Sequence, residues 1–271
     1  MTSASGRGLP RPRKRYGQHF LEATWVKKLI DALGARRTDV FLEIGPGRGA
    51  LTNPLAELVA RVIAVEIDRD LAAALPGRVG PNVRIIQGDF LDVDLPHLLG
   101  DEAVPVRVVG NLPYNVSSPI LFRLLDAAAS GVRIQDATLM LQREVADRLV
   151  ARPGTSDYGG LAIQVALLAR VERLLALPPG AFRPPPKVHS AVVRLTFRPP
   201  LVEVGDRVVF EKIVRGVFLQ RRKTVLNALK PVAHALSKSP ETLLAQAGID
   251  PGRRPETLTV DDFARLSQAV L

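Results

Sequence analysis

The chain has 271 residues, enough for one large domain or for a large and a small one, and 46% of them are hydrophobic, which excludes global disorder. It has no cysteine, so disulfides, thiolate metal sites and cysteine nucleophiles are excluded, as fits a reducing cytoplasm. The net charge is +10 and the pI about 10.5, a balance that favours a polyanionic partner, either nucleic acid or an anionic membrane surface.

In chain order, residues 1–15 carry Arg7, Arg11, Arg13, Lys14 and Arg15 with no acid and read as a basic disordered tail. They lack an apolar stretch, so no secretory signal is expected, and no later apolar run reaches the roughly 18 residues of a membrane span. Trp25 to Leu33 is predicted as a helix stopped by Gly34. Val40 to Ile44 is an apolar strand, followed by a glycine-rich turn and a helix over Leu51 to Val59. Val62 to Ile67 is a second strand, Leu71 to Leu75 starts a helix, Val83 to Ile86 is a third strand and Val106 to Val109 a fourth. A helix over Ile120 to Ala129 precedes a fifth strand, Ala137 to Gln142. Gly159 to Ala169 and Val171 to Leu177 are expected as late strands, and Ala191 to Phe197 as the last.

Strands alternating with helices, each strand a near-continuous apolar run, predict an α/β fold with a parallel sheet covered by helices on both faces. Arg198-Pro199-Pro200 breaks this pattern. Beyond it the period turns helical: Val209 to Leu219, Lys223 to Leu229, a helix capped at Ser239 and stopped by Gly248, and a last helix opened by a capping box at Thr259. The expected domains are therefore 16–198 (catalytic) and 199–271 (small, all-α). Besides the tail, Gly180 to Arg198 and Arg221-Arg222-Lys223 are clusters free of acids, which point to phosphate contacts.

Glu43-Ile44-Gly45-Pro46-Gly47-Arg48-Gly49 lies between a strand and a helix, where glycines let backbone approach a ligand and the helix offers free N–H groups. The second strand ends in Glu66, 19 residues after Gly47, placed to accept from ribose hydroxyls. Asp89 follows the third strand and suits an adenine amine. Gly45 to Ala50 also satisfies the dinucleotide pattern G-x-G-x-x-A. Glu43 puts negative charge where phosphates would sit, however, and no phosphate-binding lysine is in the loop. A sulfonium ligand such as S-adenosylmethionine (AdoMet) is favoured over a nicotinamide cofactor. Asn111-Leu112-Pro113-Tyr114 ends the fourth strand. An amide, a fixed proline and an aromatic ring suit holding a flat heterocycle with an exocyclic amine, although the tetrapeptide alone serves equally as a turn whose Tyr packs on the core.

These motifs, with Arg13 to Leu21, Gln87-Gly88-Asp89, Phe182-Arg183-Pro184-Pro185-Pro186-Lys187-Val188 and Phe218 to Thr224, resemble the small-subunit rRNA adenine dimethyltransferases of the KsgA type over nearly the whole chain. The resemblance implies a Rossmann-like AdoMet-dependent methyltransferase sheet. It implies AdoMet contacts at His19, Leu21, Gly45, Glu66, Asp89 and Asn111, with Gly47 in the same turn. It further implies methyl transfer to N6 of two adjacent adenines in the 3′-terminal hairpin loop of 16S rRNA within the 30S particle. His189 departs from the Asp usual after Lys-Val and reads as a structural residue.

The Asn111 side-chain oxygen and the Leu112 carbonyl would accept the two N6 hydrogens, Pro113 would fix the turn, and Tyr114 and Phe182 would stack on the base, each worth about 1–3 kcal/mol. No general base or metal is expected. Arg13, Lys14, Arg15, Lys187, Arg221, Arg222 and Lys223 are the candidates for rRNA phosphates, and a cytoplasmic monomer is expected. The rival readings are a 23S rRNA adenine methyltransferase of the macrolide-resistance type, a non-catalytic RNA-binding assembly factor, and, more remotely, a nicotinamide oxidoreductase.

Overall fold

The computed structural model describes residues 19–270, so Arg13, Lys14 and Arg15 lie outside the described residues. The chain divides into two compact units: residues up to Arg143 together with Glu172–Phe197, and Glu144–Val171 together with Arg198 onward.

The first unit opens with β1 (Phe20–Leu21) and α1 (Ala23–Leu33), which ends at Gly34 in the left-handed conformation, φ 58°. Next come β2 (Val40–Ile44), α2 (Thr52–Ala56), β3 (Arg61–Glu66), α3 (Arg69–Ala74), β4 (Val83–Gln87), α4 (Leu95–Leu99), β5 (Val106–Asn111), α5 (Ser117–Ala129) and β6 (Ile134–Gln142). After α6 (Arg143–Val150) and α7 (Gly160–Leu168) come β7 (Ala169–Leu177), β8 (Phe182–Arg183) and β9 (Ser190–Phe197). Seven strands form one sheet in the order β4-β3-β2-β5-β6-β9-β7, while β1 and β8 make a small antiparallel pair.

β2 to β6 are mutually parallel, and β9 runs antiparallel to β6. The sheet is thus mixed rather than parallel throughout. Antiparallel entry brings the start of β9 to the edge where the parallel strands end. The central strands are buried on both faces, which explains their unbroken apolar runs; each fully buried Leu, Ile or Phe contributes about 1.5–3 kcal/mol. α1 lays its Val26–Leu29–Leu33 stripe on a core with Phe41, Leu55, Val62, Met140 and Val192. Strand order runs outward from β2 to β4 and then returns to the other side of β2 at β5. That reversal leaves a crevice beyond the carboxyl ends of β2 and β5.

The second unit is helical: α6, α7, α8 (Arg207–Leu219), α9 (Val225–Ala235), α10 (Pro240–Ala247) and α11 (Val260–Gln268). The expected caps form: Ser239 accepts from Thr242 N, Gly248 ends α10 at φ 64°, and Thr259 with Asp262 closes a full capping box. α8 and α9 pack so closely at Gly216 that any Cβ there would meet Val232 Cγ2. The Phe218 ring sits between Tyr158 and Phe263, and the Tyr158 hydroxyl donates to Leu258 O at 2.9 Å.

Two expectations are corrected. Gly159 to Ala169 is not a strand: α7 occupies it, and a helix that is apolar at almost every position carries no period by which to tell it from a buried strand. Residues 144–171, expected in the catalytic domain, pack with the helical unit instead, because α7 lies against α8 and α11.

Candidate active site

The turn after β2 is shaped for close approach. Gly45 and Gly47 take φ of 69° and 59°, which side-chain-bearing residues rarely adopt, and a Cβ on Gly47 would lie 2.9 Å from the Phe20 ring. Phe20 in turn carries the Arg48 guanidinium 4.5 Å above its ring. Gly47 N donates to Glu66 Oε2 at 2.9 Å, and Asp68 N donates to Glu66 Oε1 at 2.8 Å. Each carboxylate oxygen keeps a further lone pair, so Glu66 can still accept from a ligand. Burial raises its pKa, against the pull of those backbone donors.

Glu43, on β2, is fully buried and lines the same cavity. Burial is the main cause that pushes its carboxyl up to about 7; the Glu66 charge adds to the rise, and the nearby Thr52 hydroxyl opposes it. Glu43 Oε2 makes no well-aligned hydrogen bond within the protein, the Thr52 hydroxyl being the group near enough to donate to it. A buried acceptor left unmade costs about 1–3 kcal/mol, a cost that a cationic ligand would offset.

The Asn111 turn closes the opposite wall. Asn111 Nδ2 donates to His19 O at 2.6 Å. A backbone carbonyl can only accept, so the amide orientation is fixed and Oδ1 stays an acceptor. Leu112 N donates to Met140 O at 3.3 Å, Val116 N to Pro113 O at 3.1 Å, and Ser117 Oγ to Tyr114 O at 3.1 Å. The Tyr114 ring stacks on His19, with centroids 6.1 Å apart and planes 21° from parallel, and its hydroxyl meets Ser190 Oγ at 2.6 Å. His19 Nδ1 lies 2.7 Å from Pro184 O, which assigns it the proton. Burial raises the Tyr114 pKa, so the phenol is neutral at physiological pH.

The cavity joins His19, Leu21, Gly45, Gly47, Glu66, Asn111, Leu112, Pro113 and Tyr114 in one wall-to-wall arrangement. Asp89 stands apart from this lining: it follows β4 at the same sheet edge, with Oδ1 accepting from Leu91 N at 2.9 Å. Phe182 is corrected. Only 1% exposed, it packs in the core against α1 and opposite Leu21 in the β1–β8 pair, so it presents no face for a base here. Lys187 is exposed in the loop before β9, and Arg222 and Lys223 are exposed after α8. Arg221 already holds Thr155 O at 3.2 Å and faces Glu256 at 4.0 Å. Sequence reasoning missed Phe20, Met140 and Ser190. Phe20 sits between two residues that were singled out, while Met140 and Ser190 enter only through strand register, which has no local sign.

A family model described as ribosomal RNA adenine dimethylase matches residues 10–270. A curated relative from Geobacter metallireducens, named ribosomal RNA small subunit methyltransferase A, is 46% identical over 98% of this chain and 98% of its own. A dimethyladenosine transferase structure from Plasmodium falciparum superposes with a TM-score of 0.72 at 26% identity, covering 92% of this chain and 96% of that one. A 23S rRNA methyltransferase structure reaches a TM-score of 0.65 at 27% identity, covering 93% and 99%. The chain belongs to the ribosomal RNA adenine dimethylase family.

Proposed function

We propose that the protein dimethylates N6 of two adjacent adenines in the 3′-terminal hairpin loop of 16S rRNA, acting as a cytoplasmic monomer on the 30S particle or its precursor. The small-subunit name of the 46%-identical relative supports this substrate over the 23S reading. Among the described residues no helix is long and apolar enough to cross a membrane. The charge of +10 suits contact with an RNA phosphate backbone.

The cavity suits AdoMet rather than a dinucleotide. Two buried carboxylates, Glu43 and Glu66, line it, and one of them has an oxygen that makes no well-aligned hydrogen bond. Such walls favour a cation and repel a pyrophosphate. Gly45 and Gly47 would border the cofactor, and Glu66 would take its ribose hydroxyls; AdoMet when bound supplies an electrophilic methyl group on a positive sulfur.

The observation that carries the mechanism is the Asn111–His19 hydrogen bond. An adenine amine is a poor nucleophile because its lone pair is delocalised into the ring. With Nδ2 held by His19 O, Asn111 offers Oδ1 to one N6 hydrogen, and the Leu112 carbonyl takes the other. Those two acceptors draw the nitrogen toward tetrahedral geometry and free its lone pair. Pro113 keeps the acceptors in place, and Tyr114 stacks on the base. Rate comes from positioning, and the methylated ammonium loses its proton to water without a protein base. Arg13, Lys14, Arg15, Lys187, Arg222 and Lys223 hold rRNA phosphates, with a smaller share for Arg221, whose charge is partly met by Glu256.

The test is methyl transfer from labelled AdoMet to 30S particles lacking this modification, with the products mapped. Label on two adjacent adenines near the 16S 3′ end is expected. Label going instead into 23S rRNA offered in a parallel reaction identifies the rival enzyme, and RNA binding without any label identifies an assembly factor.

A further inference from the structure

We propose that Ser190 is a positioning residue for methyl transfer, acting through Tyr114. The inference rests on the reading of Tyr114 as the ring that holds the target adenine. Ser190 is the first residue of β9 and Tyr114 follows the end of β5, 76 residues earlier. The two strands are not neighbours, since β6 lies between them. They meet because β9 is antiparallel: Ser190 pairs with Gln142 at the end of β6, so the start of β9 reaches the edge where β5 stops.

There the Ser190 hydroxyl, 2% exposed, lies 2.6 Å from Tyr114 Oη. Tyr114 is fixed at three points. Its carbonyl accepts from Ser117 Oγ, one ring face meets the His19 imidazole, and its far tip meets Ser190. The first point sets the backbone and leaves χ1 and χ2 free. The imidazole, 6.1 Å away between centroids, limits the ring on one side only. The hydrogen bond at the tip is the restraint that stops the ring from swinging about χ1, and so sets the plane against which a base stacks. His19 also takes the Asn111 amide on its carbonyl, so base plane and amine acceptor are referred to one residue. A Phe at 114 would keep the stacking surface and lose this registration.

The experiment is a double-mutant cycle of Ser190→Ala and Tyr114→Phe in the full-length protein. It is read on kcat with 30S particles, on AdoMet affinity, and on fluorescence quenching of a hairpin RNA carrying 2-aminopurine at the target position, which reports stacking without methyl transfer. Ser190→Ala should lower kcat about five- to tenfold, the scale of one neutral hydrogen bond, and weaken the quenching, with AdoMet affinity unchanged. Added to Tyr114→Phe it should have no further effect, and Ser190→Thr, which keeps the hydroxyl, should restore most of kcat. Equal losses from Ser190→Ala in both backgrounds, or a loss of AdoMet affinity matching the loss of rate, would overturn the proposal in favour of a packing role. A wild-type protein that quenches the probe but methylates no 30S particle refutes the substrate reading; the Ser190–Tyr114 coupling then stands or falls on the quenching alone.

Discussion

The two edges of the central sheet solve opposite problems with the same kinds of group. At the amino end of β5, Arg107 is buried among acceptors. Nε and one terminal nitrogen reach Asp136, the other reaches Asp39 at 2.9 Å, and Leu33 O and Gly34 O at the end of α1 accept from the terminal nitrogens. Its guanidinium also lies 4.9 Å over the Phe41 ring. Burial opposes its charge, but the two carboxylates outweigh it and raise its pKa. At the carboxyl end of β2, two residues before Gly45, Glu43 is equally buried and left with an oxygen that makes no well-aligned hydrogen bond. A closed network holds α1 to the sheet; an open one waits for a ligand. Within one unit, the degree of hydrogen-bond satisfaction separates the edge that stabilises from the edge that reacts.

The largest effect expected is at the closed edge. Arg107→Ala strands Asp136 and Asp39 and frees the end of α1, which should lower unfolding free energy by about 3–5 kcal/mol. Urea titration measures it, and the fraction still folded should keep its AdoMet affinity. If that affinity falls in step with stability, the two edges are not separable. At the open edge the order reverses. Asn111→Ala should reduce methyl transfer by about 10²–10³-fold, the scale of removing one positioned active-site hydrogen-bonding group, with the urea midpoint little changed. Near-normal turnover in that variant would end the amine-positioning mechanism.

The same contrast marks what could be read from the chain. The open edge announced itself, because ligand-facing turns need particular residues: positive-φ glycines at 45 and 47, an acid closing β3 at Glu66, an amide at 111 before a proline. Caps were equally legible at Gly34, Ser239, Gly248 and Thr259, since each is a local interaction. The closed edge was silent. Arg107 and Asp136 read as charges interrupting or flanking apolar strands, and only register brings them together. Phe182 misled for the same reason: a motif gives a ring, while the pairing of β8 with β1 turns that ring into the core. α7 misled because a nearly unbroken apolar sequence has no periodicity to read. Local chemistry is written in the sequence, and partnerships made across strands are not.

The titration of Glu43 is the sharpest test of the open edge. The Glu43 carboxyl moves from its ordinary value of 4.5 up to about 7 in the folded protein, mainly by burial. Between these values the folded state holds a proton that the unfolded state has lost. Wild-type stability should therefore fall as pH rises from about 4.5 to about 7 on this account, by up to about 3 kcal/mol, and stay level above. Glu43→Gln, neutral throughout, should lack this component and gain on wild type progressively across that window. Binding a cation reverses the balance, because it favours the ionised carboxylate. AdoMet titrated into wild-type protein near pH 7 should release a fraction of one proton, seen as a binding heat that varies with buffer ionisation enthalpy. Glu43→Gln should show no such variation. Equal proton release by both proteins would mean that Glu43 does not face the positive charge of the cofactor and that its unmade hydrogen bond is a matter of packing alone.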